Sequence, residues 1–361
     1  MAYDKTVAQQ AGLEKLIKAF VLPENLGFGS CMAPVMFRAD YADGQWDAGI
    51  LQPYGSISVM PGAKVLQYAA SVFEGMKAYK VNRERANLFR PDMNFARLNA
   101  SAKELCMPVL PEALFFDGLY ALVAACNDLV PDQSGQSLYI RPFIFGTQDG
   151  LGLARSETYS FMIIASPSAD FHSGHMRVMI EREKTRVPVG TMGQAKAGGN
   201  YAASLHTSMT AKAIGFDQIL WLDSATRENL EELSGMNVFF VSGDTLFTPR
   251  LSGSILAGVT RNSVIDLAPE MGLTVVEKTL GIKEVIQMIS SGACSEAFAC
   301  GTAAIISPIS LLGEPDGKEY PLPNSSGKFT EEFRRRLLGI QQQTEKDNFG
   351  WIQEIPEEYF A

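Results

Sequence analysis

The chain has 361 residues, 46% of them hydrophobic and 20% charged, with a formal net charge of −9. This length suits two domains of ordinary size, and the composition is that of a globular protein. The acidic balance argues against nucleic acid as a partner, since phosphate neutralisation needs a basic face, and no apolar run approaches a membrane span.

Taken in order, residues 4–20 read as an exposed amphipathic helix with Leu13, Leu16, Ile17 and Phe20 on one face, ended by Pro23 and Gly27. Short strand-like runs follow, with Asp43-Gly44 and Pro61-Gly62 as turns. A strand is predicted near Ala86–Phe89. Pro91 then opens a helix carrying Phe95, Leu98, Ala102 and Leu105 on one face, and a second helix runs from Pro111 to Leu129. Leu138–Phe145 and Tyr159–Ala165 are strand-like. The pattern breaks at Ser166–Gly174, which sets the expected division: residues 1–167, a linker at 168–176, and a second domain at 177–361. Beyond it, Tyr201, Leu205, Met209 and Ala213 recur at helical spacing up to Gly215. Ile219–Leu222 is a strand, and Asn237–Val241 and Thr245–Thr248 form a hairpin around Ser242-Gly243-Asp244. A helix follows Gly258 and stops at Gly272. Leu273–Lys278 is a strand, Ile282–Ser290 a helix, and Glu296–Leu311 strands broken at Gly301-Thr302. From Thr330 a charged helix reads as a surface element.

Cys31, Cys106, Cys126, Cys294 and Cys300 are odd in number and loosely spaced, which fits free thiols in a reducing compartment. His172 and His175 have no third ligand in sight, so no metal is expected. The N-terminal stretch carries Asp4 and Glu14 and does not read as a signal peptide, so the cytoplasm is the expected location.

Lys196 stands just before Gly198-Gly199 and a helix-like run. Glycines let a bulky ligand lie against the main chain. A lysine held out of water there can form a Schiff base with a carbonyl. A helix start at Gly258-Val259-Thr260 would turn free backbone N–H groups toward an anion. Arg141 lies in a strand beside aromatic residues, a good clamp for a carboxylate.

Lys196-Ala-Gly-Gly-Asn-Tyr201, Asp217-Gln-Ile-Leu-Trp-Leu-Asp223, Glu232-Leu-Ser-Gly-Met-Asn237, Phe73-Glu74-Gly75 and Leu138-Tyr-Ile-Arg141-Pro together resemble the branched-chain amino acid aminotransferases, pyridoxal-phosphate (PLP) enzymes of fold type IV. The likeness runs from about Phe28 to Leu312. It implies a two-domain α+β and α/β fold like that of D-amino acid aminotransferase. A smaller N-terminal α+β domain would precede a C-terminal domain with a pseudo-barrel sheet, with the cofactor at their interface. The implied reaction is ping-pong transamination of leucine, isoleucine or valine with 2-oxoglutarate, yielding glutamate, in a homodimer.

The same resemblance assigns roles. Lys196 would be the catalytic residue and hold PLP. Glu232 would face the pyridine nitrogen, Tyr201 the phenolic oxygen, and Arg97, Gly258, Val259, Thr260 and Thr302 the phosphate. The amides of Thr302 and Ala303 would take the substrate α-carboxylate. Phe28, Tyr68, Phe73 and Tyr139 would line the apolar pocket, with Arg141 receiving the second carboxylate of glutamate. Three positions depart from the family: Ala304 and Ser307 stand where the mammalian enzymes carry a Cys-x-x-Cys redox pair, and Ala257 replaces a common proline. The competing readings are another fold-type-IV enzyme, such as a D-amino acid aminotransferase or aminodeoxychorismate lyase, a nucleotide-dependent oxidoreductase, and a non-catalytic binding protein. The oxidoreductase would need a Gly-x-Gly-x-x-Gly after a strand, which is absent.

Overall fold

Aspartate and glycine tolerate left-handed backbone angles, and at Asp43 (φ 51°) and Gly44 (φ 84°) both adopt them. This joins β1 (Val35–Ala42) to β2 (Gln45–Trp46) as a tight hairpin in the computed structural model, which describes residues 11–170, 174–324 and 327–360. The sheet continues with β3 (Ile50–Pro53), β4 (Ser71–Phe73), β5 (Met76–Tyr79), β6 (Asn87–Phe89), β7 (Ser137–Gly146) and β8 (Tyr159–Ser168). The strand Ile352–Glu354 closes its edge against β6. All pairings are antiparallel, and β7 pairs with β8 from Ser137 opposite Ser168 to Gly146 opposite Tyr159.

Strand periodicity sorts the side chains of β7. Leu138, Ile140 and Ile144 are fully buried, while Tyr139, Arg141 and Phe143 fall on the other, less buried face. Helix α1 (Ala11–Ala19) buries Leu13 and leaves Leu16 exposed; residues 4–10 of the expected helix lie outside the described residues. After α2 (Lys64–Tyr68), α3 (Pro91–Glu104) starts at its proline, whose missing N–H costs nothing in a first turn, and buries Leu98 and Ala102 as expected. The next helix, α4 (Glu112–Ala125), is shorter than the predicted 111–129. Its end tightens into a separate 3-10 turn at Asn127–Leu129, pinned by Asn127 to the Ala86 amide and the Glu84 carbonyl.

A second sheet contains β9 (Met176–Ile180), β10 (Gln218–Leu222), β11 (Leu230–Leu233), β12 (Asn237–Ser242), β13 (Thr245–Pro249), β14 (Thr274–Lys278), β15 (Glu296–Gly301), β16 (Ile305–Gly313) and β17 (Glu319–Pro321). Its order is β11-β10-β9-β16-β15-β12-β13-β14, with β17 on β16; β9 is parallel to both β10 and β16, and β13 to β14. Val178, Ile180, Leu220, Leu222, Phe240, Ile282, Ile309 and Leu312 form one buried cluster. Each such side chain contributes about 1.5–3 kcal/mol on leaving water.

Two helices differ from expectation in the face they bury. In α5 (Gly198–Ala213) the residues at apolar spacing are the outward ones: Leu205 is 61% and Met209 74% exposed, whereas Asn200, Ser204, Thr207 and Ala211 are buried. After α6 (Val259–Leu267) and α7 (Ile282–Ser290) comes α8 (Lys328–Gln341), expected as a charged surface element. It buries Phe333, Leu337 and Ile340 completely, and its charged residues occupy the remaining faces.

The chain separates into two compact units. The first is Met1–Phe171 with Ala195–Gly199 and Gly339–Ala361; the second is His172–Gln194 with Asn200–Leu338. The sequence suggested one boundary at 168–176. Here the chain returns to the first unit twice, once for the five residues around Lys196 and once for its last segment.

Candidate active site

In the first unit, Lys196 is fixed through its backbone. Its N–H donates to the Ser101 hydroxyl of α3 (2.9 Å), its carbonyl accepts from Phe73 N (3.0 Å), and Ala197 bridges to Val72 of β4. The side chain is half-buried, with Nζ 4.9 Å from the centre of the Phe73 ring. The Arg141 guanidinium lies 4.7 Å from the same ring centre. One phenyl ring therefore sits beside both cations.

Arg141 donates through Nη2 to the Tyr139 hydroxyl at 3.0 Å, and its buried Nε has no hydrogen-bond acceptor. Phe28 meets the Tyr139 ring edge-on at 4.9 Å. Gly75 permits this arrangement, because a Cβ there would stand 2.1 Å from the Tyr139 hydroxyl oxygen. Phe28, Phe73, Tyr139 and Arg141 thus come together with Lys196. The contacts of Tyr68 run elsewhere: it is 43% exposed and its hydroxyl donates to the Leu151 carbonyl.

Arg97 sits on α3 with one edge of its fork on Glu74: Nε to Oε1 at 2.7 Å and Nη2 to Oε2 at 2.8 Å. Glu74 is completely buried and also accepts from Asn94 Nδ2 (2.7 Å) and its neighbour Gly75 N (3.2 Å). Burial alone would push its carboxyl up. The Arg97 guanidinium, helped by the Lys196 charge and Asn94, outweighs this and holds it below the usual carboxylate range.

In the second unit, Glu232 lies on β11, where all four residues are buried. Strand alternation sends Glu231 and Glu232 to opposite faces, both inside. Glu232 Oε1 is 3.0 Å from Arg186 Nε, and Oε2 accepts from Asn237 Nδ2 (3.1 Å) and Leu256 N (3.2 Å). Asn237 also donates to the Leu256 carbonyl (3.0 Å) and abuts Gly258, where a Cβ would lie 2.1 Å from its Oδ1. Glu232 and the start of α6 are thereby tied together.

Helix α6 begins at Val259 with Gly258 as N-cap and no side-chain cap, and Val259 and Thr260 are buried. Its first-turn N–H groups point at a position with no side chain supplied to accept them. Thr302 and Ala303 occupy the tight turn between β15 and β16, part-buried, with Gly301 packed near Met236 and the Gly235 carbonyl. Tyr201 is half-buried in the first turns of α5.

Sequence reasoning passed over four residues that hold these candidates in place, Glu74 and Ser101 in the first unit and Arg186 and Asn237 in the second. Glu74 and Asn237 stood inside quoted motifs without a role. Ser101 and Arg186 gave no local signal, since their partners are distant in the chain. No group of three or more potential metal ligands exists among the described residues, and His172 lies outside them. No helix among them is long and apolar enough to cross a membrane.

Residues 71–312 match the family model for amino-transferase class IV. A probable branched-chain-amino-acid aminotransferase from Staphylococcus epidermidis is 42% identical over 337 residues, covering 92% of this chain and 94% of that protein. The crystal structure of the branched-chain aminotransferase from Thermoproteus uzoniensis with norvaline superposes with a TM-score of 0.73 at 28% identity, covering 89% of this chain and all of that one. The T.th. branched-chain amino acid aminotransferase complexed with N-(5'-phosphopyridoxyl)-L-glutamate gives 0.70 at 26% identity, over 88% of this chain and 98% of that one. The fold is that of the type IV aminotransferases, and the chain belongs to the branched-chain-amino-acid aminotransferase family of class IV.

Proposed function

We propose that the protein moves the amino group of leucine, isoleucine or valine to 2-oxoglutarate, yielding the branched-chain 2-oxo acid and glutamate in two half-reactions with PLP as carrier. The observation that carries this reading is the pairing of Lys196 and Arg141 beside one ring, Phe73, with a buried Arg141 donor still lacking an acceptor. An apolar pocket with one arginine can accept an aliphatic side chain, and also the second carboxylate of glutamate, which would be costly to bury without a partner. The relatives support both halves: one was solved with norvaline, another with a phosphopyridoxyl-glutamate.

The donor set fits PLP. It offers a lysine, a buried acid, an arginine, and a helix start without a side-chain cap. When bound, PLP supplies an electron-withdrawing ring that stabilises negative charge at the substrate Cα. With the group bound, Lys196 Nζ would take the proton from the substrate Cα and deliver it to the cofactor's C4′, and would carry it in the opposite direction in the second half-reaction, which requires the amine neutral when it acts as base. Glu232 holds a proton at the ring nitrogen. Arg97, the first-turn amides of Val259 and Thr260, and Thr302 bind the phosphate; Glu74 fixes the direction of the Arg97 fork. Tyr201 donates to the phenolic oxygen. The amides of Thr302 and Ala303 receive the α-carboxylate shared by all substrates, leaving Arg141 to distinguish the second one.

A homodimer is part of the proposal. Ile57, Met60, Leu66, Tyr68, Leu151 and Leu153 are exposed large apolar side chains, the last at 88%. Lys64 ties their two segments together through the Gly150 and Gly152 carbonyls. Such a patch favours burial against a second copy. Five free cysteines among the described residues agree with the reducing cytoplasm.

The deciding experiment is glutamate formation from leucine and 2-oxoglutarate by the purified protein, with initial rates over both concentrations. Parallel double-reciprocal lines are expected. Turnover with D-alanine and none with leucine would overturn the reading, and a monomer in sedimentation would remove the dimer.

A further inference from the structure

Arg186 is a buried cation whose role the reaction above leaves undefined. It is one of the most deeply buried charges in the second unit, with a side chain 4% exposed. Nη2 donates to the Gly193 carbonyl at 2.8 Å and to the Ser254 carbonyl, which anchors the guanidinium to two separate loops. Nε stands 3.0 Å from Glu232 Oε1 but is not aligned as a hydrogen bond, so the contact is one of charge. Two carbonyls and one carboxylate hold the group in place, while only the carboxylate carries a formal charge.

The neighbouring acid supplies an internal comparison. Glu231 and Glu232 are consecutive, equally buried and on the same strand. Glu231 accepts from the Ser254 hydroxyl, and its other oxygen is buried with no partner. Burial pushes its carboxyl up, offset in part by Ser254 and by the more distant Arg186 charge. Glu232 has Arg186 in direct contact and two N–H donors besides. The buried Cys300 thiol lies near both Arg261 and Glu232. Arg186 is thus a cation in direct contact with Glu232, and strand alternation decides which of the two adjacent acids meets it at that distance.

We infer that Arg186 is a positioning residue that keeps Glu232 a carboxylate, so that the proton shared between this acid and the cofactor's ring nitrogen resides on the nitrogen. This rests on the proposed reaction. The reasoning is electrostatic. A buried acid facing a buried base can settle as a neutral pair, with the proton on oxygen, or as an ion pair, with the proton on nitrogen. A guanidinium in contact with the carboxylate would favour the ion pair as long as it is closer to the negative member than to the positive one. Without it, desolvation favours the neutral pair, and the ring withdraws electrons less strongly.

The test uses holoenzyme reconstituted with cofactor labelled with nitrogen-15 at the ring position. Wild type and Arg186→Lys should both give the chemical shift of a protonated ring nitrogen. Arg186→Met, which retains bulk and removes charge, should give that of an unprotonated, hydrogen-bonded nitrogen, with kcat/KM for leucine lower by about 10²-fold. A folded Arg186→Met whose nitrogen remains protonated overturns the inference, even if activity falls, since the arginine would then serve packing alone. Should that variant fail to fold, the wild-type protein decides through the Glu232 side-chain carboxyl carbon, assigned by its loss in Glu232→Gln. A carboxylate shift at assay pH supports the inference, and a carboxylic-acid shift overturns it. The carbon measurement does not depend on turnover, so absence of leucine activity would refute the proposed reaction without touching this result.

Discussion

Lys196, Arg141 and Glu74 each carry a test of their own. Lys196→Ala should abolish leucine turnover while circular dichroism stays that of the wild type; an unchanged kcat would remove this lysine from the chemistry. Arg141→Met should weaken 2-oxoglutarate by about 2–4 kcal/mol in single-turnover reaction with the pyridoxamine form. Leucine with the pyridoxal form should change far less, and equal losses would mean a general supporting role. For Glu74 the prediction concerns pH. Its folded carboxyl lies below the usual range, so its stabilisation is complete above an unfolded value of about 4.3 and is lost as pH falls through the folded value. Glu74→Gln leaves Arg97 buried without its counter-charge and should cost about 3–5 kcal/mol at pH 7. Its stability should then decline less than the wild type's on acidification below about pH 4; denaturant titrations at neutral and acid pH measure both effects, and parallel declines would refute the pair's role. At this scale the sequence revealed chemical type better than partnership. Lys196 and Glu232 stood out in the sequence because their neighbours in the chain are distinctive. Glu74 and Arg186 did not, because an ion pair between residues 23 or 46 positions apart has no local pattern.

Elements were legible where the period was clear. Helix α7 has the predicted limits, and the β12–β13 hairpin turns at Ser242-Gly243-Asp244, with Ser242 opposite Thr245. Strand β11 was missed because four buried residues that include two acids look polar in sequence. One of those acids, Glu231, predicts a pH slope opposite to that of a paired carboxylate. Its folded value is raised, so its contribution is complete below the unfolded value and is lost as pH rises through the folded one. Glu231→Gln should therefore gain stability relative to wild type on going from pH 4 to pH 8, as read by thermal unfolding at each pH; a gain in the other direction would mean that the acid is charged in the fold. Helix α5 defeated periodicity for a different reason: its apolar stripe is real, but it faces outward and the polar stripe faces in. Spacing identifies a helix and does not say which side the protein covers.

At the scale of the whole molecule, composition can suggest where a chain divides but cannot reveal that a later segment folds back, as residues 195–199 and 339–361 do here. The C-terminal return is heavily bonded. Gln341 accepts from Tyr79 and Asn87, Trp351 stacks on Phe349 and meets Phe89 edge-on, and Ile352–Glu354 pairs with β6. Deleting residues 342–361 should leave the first unit unable to complete its sheet, seen as loss of cooperative unfolding and aggregation on expression; a truncated chain with a wild-type melting transition would refute this. The pairing of Leu88 with Gln353 spans about 265 residues of chain. At ribosomal rates of about 5–20 residues per second, the partner of β6 emerges some tens of seconds after β6 itself. Throughout that interval the nascent protein carries an open sheet edge, the kind of surface that recruits other strands. That edge is only three residues long, which limits what can add to it until residues 352–354 arrive.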